Sequence, residues 1–511
     1  MKKNILSVAV AAGVAVAAGQ AVAQSTAPMF ISPDNTGQAL IFPYYNAENG
    51  NTTSMHIVNT TGKAKALKIR FREYKASYEV LDFNVFLSPY DHFSWTVAAH
   101  PTGATEGAAI ITRDNSCTYP ALGSENYDPY QGGTTADGAL YQPFVNFEFS
   151  KGADSGDART LAGYAEVIEM GVADSSTAGK AWAAAVDHGD TGVPANCAQL
   201  ATNYGATGIW SSGQATAFDP PEGGVYGISY HLNVNDAAAF GIEPTVIDDF
   251  SPAVIHALAG DEEPNLGSGS QVSLIIDPTD GAANTLSFAG TATTIEGYQA
   301  VGSLMMTTDI SNDVMTNDAV GAQTDWVINF PTKHAHTNVA SAAAVVPPFT
   351  DNYTQGSATV AEALACELVA TTTFDREEQT ITPEKQPEFS PKPDIDVPTQ
   401  SICFEMNTLM WDNSVGALNG TLGAVTAAYT FEDGWAFINM DRATYVANAT
   451  GVPSVNGRKM QTDNTNGTQV LEGLPAVGFM ATKYANSTVI DGAMFAYGHV
   501  ADHKTTTVLS D

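Results

Sequence analysis

The feature that most constrains the fold of this chain is a period-two alternation of side chains in short segments. Residues 67–72 read Leu-Lys-Ile-Arg-Phe-Arg, so apolar and basic side chains take turns along the segment. This period predicts a β-strand that buries its apolar side and leaves Lys68, Arg70 and Arg72 in water. Similar segments, separated by turn signals, recur through residues 24–105. They predict an immunoglobulin-like β-sandwich domain there.

The rest of the chain is also predicted to be mainly β, with long loops and a few short helices. Residues 106–265 are predicted to form a loop-rich β region with short helices, at 178–186, 196–204 and 251–260. Residues 266–511 are predicted to form a second β-rich domain that contains a Pro-rich loop at 377–400.

One clear strand lies in the middle region. From Tyr226 to Val234, aromatic and aliphatic residues alternate with glycine, serine, histidine and asparagine. We expect the first set to face a core. His231 belongs to the second set, so we expect it to be exposed.

The charge of the chain excludes two classes of function. Lys and Arg total 21 against 55 Asp and Glu, which gives a formal net charge of −34. A surface of this sign repels phosphate, so we expect neither nucleic-acid binding nor a polybasic membrane patch. Strong negative charge also keeps an exported protein soluble until cations or partners neutralise it.

The N-terminal residues 1–23 are predicted to be a signal peptide. Lys2 and Lys3 precede a short apolar stretch, and Ala21 and Ala23 form an A-x-A cleavage site. No later apolar stretch reaches the roughly 20 residues of a spanning helix, so we expect no transmembrane segment in the mature chain. The predicted location is extracellular or the bacterial cell surface, with the periplasm left open.

The four cysteines, Cys117, Cys197, Cys366 and Cys403, survive removal of the signal peptide. An even number in an exported chain predicts disulfides. Three pairings are open, and sequence proximity favours Cys117 with Cys197 and Cys366 with Cys403. None of the cysteines has the C-x-x-C spacing of a zinc or redox site.

Two kinds of metal ligand are present. Calcium takes carboxylate and carbonyl oxygens on loops. The candidate ligands, each weighed against an ordinary solvated turn, are Asp248, Asp249, Asp261, Glu262, Glu263, Asp277 and Asp280. His334 and His336 are weaker candidates, because they would share one face of a strand but need at least one further ligand. Calcium is therefore the one cofactor that the sequence suggests.

No catalytic motif is found, since G-x-S-x-G, H-E-x-x-H and Walker A sequences are all absent. We therefore predict that the chain is not an enzyme, although carboxylate pairs for glycoside hydrolysis are not excluded. The aromatic residues Tyr44, Tyr45, Tyr90, Trp95 and Trp326 are candidates for a sugar-stacking platform. On alternating strands, the same residues also suit a core.

Several short segments of the chain look familiar as a set: Phe42-Pro43-Tyr44-Tyr45-Asn46, Ile57-Val58-Asn59-Thr60-Thr61, Leu81-Asp82-Phe83-Asn84, Leu87-Ser88-Pro89-Tyr90-Asp91, Thr324-Asp325-Trp326, Phe330-Pro331-Thr332-Lys333 and Asp375-Arg376-Glu377-Glu378. They resemble a family of exported proteobacterial proteins that are described as hypothetical or cell-surface proteins. The resemblance spans most of the mature chain. It implies export and carries over no activity and no site residues.

These observations favour an exported, acidic, non-catalytic structural or adhesive protein, of the kind found in surface layers or extracellular matrix. Its partners would be further copies of itself or components of the cell envelope or matrix. The alternative is an extracellular module that binds carbohydrate or another ligand, followed by a secreted hydrolase.

Overall fold

The computed structural model describes residues 28–125, 127–150, 155–212, 215–289, 295–337, 345–350, 365–378, 399–411, 416–427, 429, 431–441, 458–463, 468–490 and 493–510. The predicted signal peptide and residues 379–398 of the predicted Pro-rich loop lie outside these ranges. Within them the chain is mainly β, as predicted, with strands numbered here in chain order.

Sheet one contains β1 (Phe30–Ile31), β2 (Ala39–Asn46), β4 (Lys65–Glu73), β5 (Glu79–Leu87), β8 (Cys117–Tyr119), β11 (Ala162–Ala173), β12 (Phe218–Asp219) and β15 (Thr245–Asp248). Their spatial order is β1, β15, β2, β11, β4, β5 and β8, and β12 pairs with the end of β11. Pro43 lies inside sheet one, where the β2–β11 register shifts, and a bulge tolerates a residue without an N–H.

Sheet two contains β3 (Asn51–Asn59), β6 (His92–Ala99), β7 (Ala108–Thr112), β9 (Gly133–Thr134), β10 (Leu140–Pro143), β13 (Val225–Asn233) and β14 (Ala238–Ile242), in the spatial order β14, β13, β3, β6, β7, β10 and β9. Sheets one and two pack face to face. Leu67, Ile69 and Phe71 of sheet one share a core with Ile57 and Trp95 of sheet two.

The predicted boundary near residue 105 does not separate these sheets. It lies between β6 and β7, which are paired neighbours in sheet two. Sheet one likewise takes strands from both sides of that boundary. The first sandwich therefore uses strands from residue 30 to residue 248.

A second pair of sheets follows. Sheet three contains β19 (Asp309–Met315), β21 (Glu367–Asp375), β22 (Thr399–Ile402), β25 (Asp433–Asn439) and β31 (Lys504–Thr506). Sheet four contains β20 (Ala322–Asn329), β23 (Met406–Met410), β24 (Ala424–Thr426), β29 (Val477–Ile490) and β30 (Ala493–Asp502). Trp326 and Trp411 pack between them in a core with Ile310 and Ile438. Tyr44 and Phe479 join this sandwich to the first, with ring centroids 6.0 Å apart.

Smaller elements cover the outer side of sheet one. They are the strands β16 (Val272–Ile276), β17 (Ala283–Ser287), β18 (Met306–Thr307), β26 (Lys459–Gln461), β27 (Val470–Glu472), β28 (Leu474–Pro475) and β32 (Leu509–Ser510), and the helices α1 (Thr177–Val186), α2 (Ala198–Tyr204), α3 (Glu296–Ser303) and α4 (Lys333–Thr337). Helix α1 begins where Ser176 Oγ accepts a hydrogen bond from the Gly179 N–H. Trp182 of α1 packs on Phe86 of sheet one.

The third helix predicted in the middle region, at 251–260, is not formed. This segment crosses sheet one in an extended course, and the Ile255 N–H donates to the Met170 carbonyl. The Leu258 carbonyl accepts a hydrogen bond from Lys68 Nζ. In a helix over 251–260 the Ile255 N–H would donate to the Ser251 carbonyl instead, so its bond to β11 favours the open conformation.

The basic side chains of β4 are buried, and the prediction that they face water is wrong. Strand β4 lies in the middle of sheet one and is covered on both faces. Three of the cations, at alternate positions of the strand, meet carboxylates on the outer side, which we call the ion-pair face: Lys68 with Asp82 (2.7 Å), Arg70 with Glu79 (2.5 Å) and Arg72 with Glu166 (3.0 Å). Lys65 has the opposite parity and lies on the side of Leu67, where it pairs with Glu169 (2.7 Å). The buried basic residues of β4 therefore satisfy acids on β5 and β11.

The disulfides form in the pairing that sequence proximity favours. Cys117 is bonded to Cys197 and Cys366 to Cys403, across 80 and 37 residues. Chain entropy assigns these loops a stabilisation of about 4.5 and about 3.8 kcal/mol. Among the described residues, no helix has the length and apolar character needed to cross a bilayer.

Candidate functional site

Sheet two has an unusual composition for so acidic a chain. None of its seven strands, as the structure describes them, contains an Asp, Glu, Lys or Arg residue. On three neighbouring strands of this sheet, the side chains that point away from sheet one are Tyr226, Ile228, Tyr230 and Leu232 on β13, Thr52, Ser54, His56 and Val58 on β3, and His92, Ser94, Thr96 and Ala98 on β6. We call this surface the open face.

Strand β13 is turned the opposite way to the sequence prediction. Tyr226 and Tyr230 are each 40% exposed, whereas His231 is only 1% exposed. The inner side is crowded, because a Cβ placed on Gly227 would lie 2.6 Å from the Phe42 ring. Small and polar residues therefore fit inward, and the tyrosines face out.

His231 is a structural residue. Its Nε2 lies 3.1 Å from the Leu418 carbonyl, and its Nδ1 lies 3.3 Å from Thr53 Oγ1. Burial lowers the pKa of His231 to about 4, so the ring is neutral at physiological pH. The expectation that His231 is exposed is therefore wrong, because its hydrogen bonds are made by residues distant in sequence.

The candidate aromatic platform does not form. Tyr44, Tyr45, Trp95 and Trp326 are each no more than 2% exposed and belong to the cores. Tyr90 is exposed, but it stands alone on the turn after β5. The sequence therefore identified mainly aromatic residues of the core, whereas the aromatic residues exposed on sheet two include Tyr226 and Tyr230.

Two histidines meet at the edge of the open face. His56 Nδ1 lies 3.1 Å from His92 Nε2, and the two ring centroids are 5.2 Å apart. The Tyr230 ring packs edge-on against His56 at 5.8 Å. Partial burial, with a smaller contribution from His92, lowers the pKa of His56. The two residues come together because Val58 pairs with His92 across β3 and β6.

Nearby hydroxyl groups give the open face hydrogen-bonding capacity. Ser54 Oγ and Thr96 Oγ1 lie 2.8 Å apart on neighbouring strands. Tyr226 and Tyr230 are four residues apart on one strand, a separation of about 13 Å. The surface thus combines aromatic rings, hydroxyls and imidazoles, and its strands contain no Asp, Glu, Lys or Arg.

The candidate calcium ligands lie at separate places. Asp277 and Asp280 close the exposed turn between β16 and β17 through hydrogen bonds from Thr279 and Ala282. Asp248 ends β15, and Asp249 follows it with a left-handed backbone (φ 50°). Among the described residues, no three His, Cys, Asp or Glu side chains come together as metal ligands would.

In the acidic run at 261–263, backbone carbonyls accept the hydrogen bonds from the buried cations of β4. The carbonyls of Asp261 and Glu263 accept hydrogen bonds from Lys68 Nζ, and the Asp261 carbonyl also binds Arg70. Oxygens that already hold an ammonium group offer little to a calcium ion. Calcium at Glu262 or the other acids stays a prediction.

His334 and His336 lie in helix α4, where residues two apart do not share a face. His336 Nδ1 lies 3.0 Å from the carbonyls of both Val346 and Pro347. Neither His334 nitrogen has a hydrogen-bond partner, and Glu405 Oε2 is 3.8 Å from Nδ1. Burial lowers the pKa of His334 to about 3 and of His336 to about 4, so both rings are neutral.

Ser88, His188 and Asn115 form a hydrogen-bonded series of the hydroxyl–imidazole–amide kind found in some hydrolases. Ser88 Oγ lies 3.3 Å from His188 Nδ1, and Asn115 Oδ1 lies 3.1 Å from the other ring nitrogen. However, Ser88 is 6% exposed, and its N–H donates to Asp91 within the turn after β5. A nucleophile must be reached by a substrate carbonyl. The group therefore serves best as a clamp on this turn.

Searches of family models, of curated proteins and of solved structures find no match to this chain. The functional argument therefore rests on the residues themselves.

Proposed function

We propose that this chain is an exported, non-catalytic adhesive protein of the cell surface, and that it attaches to neutral polysaccharide of the envelope or matrix through the open face. The observation that carries the proposal is an open sheet face without charged side chains on a chain of net charge −34. Exposed apolar and aromatic surface of this kind marks interaction sites.

The charge distribution favours an uncharged partner. Cations of this chain are scarce, and several of them, including Lys65, Lys68 and Arg70, are consumed inside sheet one. The outer surface is therefore more uniformly negative than the composition suggests. An acidic polysaccharide or a second copy of this chain would be repelled, whereas a neutral polymer would not.

The chemistry of the face fits sugar rings. Tyrosine offers a flat apolar ring with a polar tip, which suits the apolar face of a hexose with its hydroxyl rim. Tyr226 and Tyr230, about 13 Å apart, can stack on two non-adjacent rings of one polysaccharide chain, and Ser54 and Thr96 supply hydroxyls between strands. The alternative function, carbohydrate binding, would use the same face. Under this proposal the protein adheres to its surroundings by binding glycan.

Several finer statements belong to the same proposal. The resemblance to exported proteobacterial cell-surface proteins and the predicted signal peptide support export, and two disulfides are compatible with it. We include an immunoglobulin-like arrangement of the first sandwich, and calcium at the acidic loops as an aid to lattice or matrix assembly.

The test is a retention assay with the mature protein on cellulose, chitin, a soluble β-glucan, alginate and heparin. We expect retention on at least one neutral polymer and none on the two acidic ones. Tyr226→Ala and Tyr230→Ala should each weaken retention. Tyr90→Ala is the matched control, since Tyr90 is exposed on the turn after β5 and not on a strand of the open face.

Retention that survives both β13 variants would contradict the proposal, as would preference for alginate or heparin. Electron microscopy in millimolar calcium and then in chelator distinguishes the rival structural role. Ordered sheets that form equally well with both tyrosine variants would place adhesion elsewhere on the chain.

A further inference from the structure

We propose that His56 and His92 form a two-imidazole chelate for a divalent first-row transition metal ion, in the order of affinity Cu²⁺ above Ni²⁺ and Zn²⁺. This inference goes beyond the proposed function and does not depend on it. It rests on the separation, orientation and surroundings of the two rings.

The separation matches the bite of a chelate. A metal ion held at about 2.05 Å by two nitrogens keeps them about 2.9 Å apart at a right angle and about 3.3 Å apart at the tetrahedral angle. His56 Nδ1 and His92 Nε2 are 3.1 Å apart, which lies between these values. The two nitrogens are therefore within reach of one ion, to which each ring would turn its lone pair away from the line between them.

The protonation states of the two imidazole rings also allow them to bind a metal ion. In the metal-free protein one of the two facing nitrogens carries a proton and donates it to the other, because two lone pairs at 3.1 Å would repel. When an ion enters, that proton moves to the far nitrogen of the same ring. Both facing nitrogens then present lone pairs to the ion.

The surroundings hold the rings and favour a cation. Tyr230 packs edge-on against His56 and fixes its orientation. On the other side, the backbone N–H of His92 donates to Asp91 Oδ1 at 2.8 Å, and the backbone N–H of Ser94 donates to Asp114 Oδ2 at 3.1 Å. These carboxylates lie on residues adjacent to or paired with the histidine strands and lower the electrostatic cost of a divalent ion.

The choice of metal follows from the ligands. Imidazole suits copper, nickel and zinc, whereas calcium and magnesium require oxygen ligands. Among the described residues no third His, Cys, Asp or Glu completes the set, so the other coordination positions are left to water or a ligand. We therefore expect modest affinity with the Irving–Williams order.

The experiment is calorimetric titration of the chelator-treated mature protein with Cu²⁺, Ni²⁺, Zn²⁺ and Ca²⁺. We expect one ion of the first three per open face and no competition by Ca²⁺. His56→Ala and His92→Ala should each weaken binding at least about tenfold. His499→Ala, which removes another exposed imidazole, should leave binding unchanged.

Electron paramagnetic resonance of the Cu²⁺ complex should show coupling to two imidazole nitrogens in the native protein and to one in His92→Ala. Circular dichroism of the variants, with His56→Gln as a more conservative replacement, separates loss of ligand from loss of fold. Equal affinity in all variants, or copper with no histidine coupling, would overturn the proposal. Binding of Ca²⁺ in preference to Zn²⁺ would overturn it as well.

Discussion

Replacing Lys65 by methionine removes the cation from a fully buried ion pair, and Lys63→Met is its matched control. Both lysines contact Glu222, but Lys65 Nζ lies 2.7 Å from the buried Glu169, whereas the Lys63 side chain is 49% exposed. Without Lys65, the Glu169 carboxylate keeps hydrogen bonds from the N–H groups of Glu222 and Gly223 but has no countercharge.

The expected magnitudes differ widely. Breaking a buried pair from one side costs about 3–5 kcal/mol, whereas an exposed pair is worth about 0–1 kcal/mol. Burial already raises the pKa of Glu169, with Lys65 as the main opposing influence. In Lys65→Met that pKa rises further and Glu169 takes up a proton as the pH falls. The loss of stability should therefore be largest at pH 8 and shrink toward pH 5.

The assay is native-state hydrogen exchange of peptides that cover β4 and β11, since a chain with two sandwiches need not unfold in one step. At about 1.4 kcal/mol per tenfold change, Lys65→Met should accelerate exchange about 100- to 5,000-fold, and Lys63→Met no more than about fivefold. Adding Glu169→Gln to Lys65→Met should restore part of the protection, because a neutral amide needs no countercharge. Equal effects of the two single variants would refute the reasoning.

Further predictions concern pH, salt and the disulfides. Burial raises the pKa of Asp325 to about 7, so the folded protein retains a proton that the unfolded chain loses near pH 4, and stability falls as the pH rises between these values. Asp325→Asn should raise the melting temperature at pH 8 and have much less effect at pH 4; an equal shift at both would contradict this. Raising NaCl from about 0.02 M to about 0.5 M should raise the melting temperature by screening the surface acids, and no change would argue against their self-repulsion. Replacing Cys366 and Cys403 by serine should lower stability by at most about 4 kcal/mol in urea unfolding, whereas no loss would show that the bridge is energetically idle.

Part of the architecture could be predicted because local patterns determine it. Period-two segments predicted the strands β4 and β13, and the helices predicted at 178–186 and 196–204 formed as α1 and α2. Cysteine proximity predicted the disulfide pairing. Each of these features depends on residues close together in the sequence or on a periodicity that the strand itself imposes.

The wrong predictions for β4 and β13 have one physical origin. A period-two pattern defines the two faces of a strand but does not show which other elements cover each face. In β4 the basic side became an interior side because acids on the neighbouring strands β5 and β11 neutralise it, and Glu166 on β11 is 94 residues from its partner Arg72. In β13 the polar side became the interior because His231 finds the Leu418 carbonyl, 187 residues away. Such partners leave no local signal.

The candidate site was partly visible in the sequence. The lack of charged residues across the strands of sheet two can be read directly, and in a chain of this charge it is a usable signal. The pairing of His56 with His92 could not be read, because they are 36 residues apart and meet through strand register.

The most direct test of the central claim is a binding isotherm for the neutral polysaccharide that the mature protein retains best, measured at low and high salt. Wild-type protein is compared with the Tyr226→Ala/Tyr230→Ala double variant. We predict an affinity that changes little with salt, because the open face has no charged residues, and a loss of at least about tenfold in the double variant. Unchanged affinity in that variant, or binding that disappears when salt is added, would contradict the account.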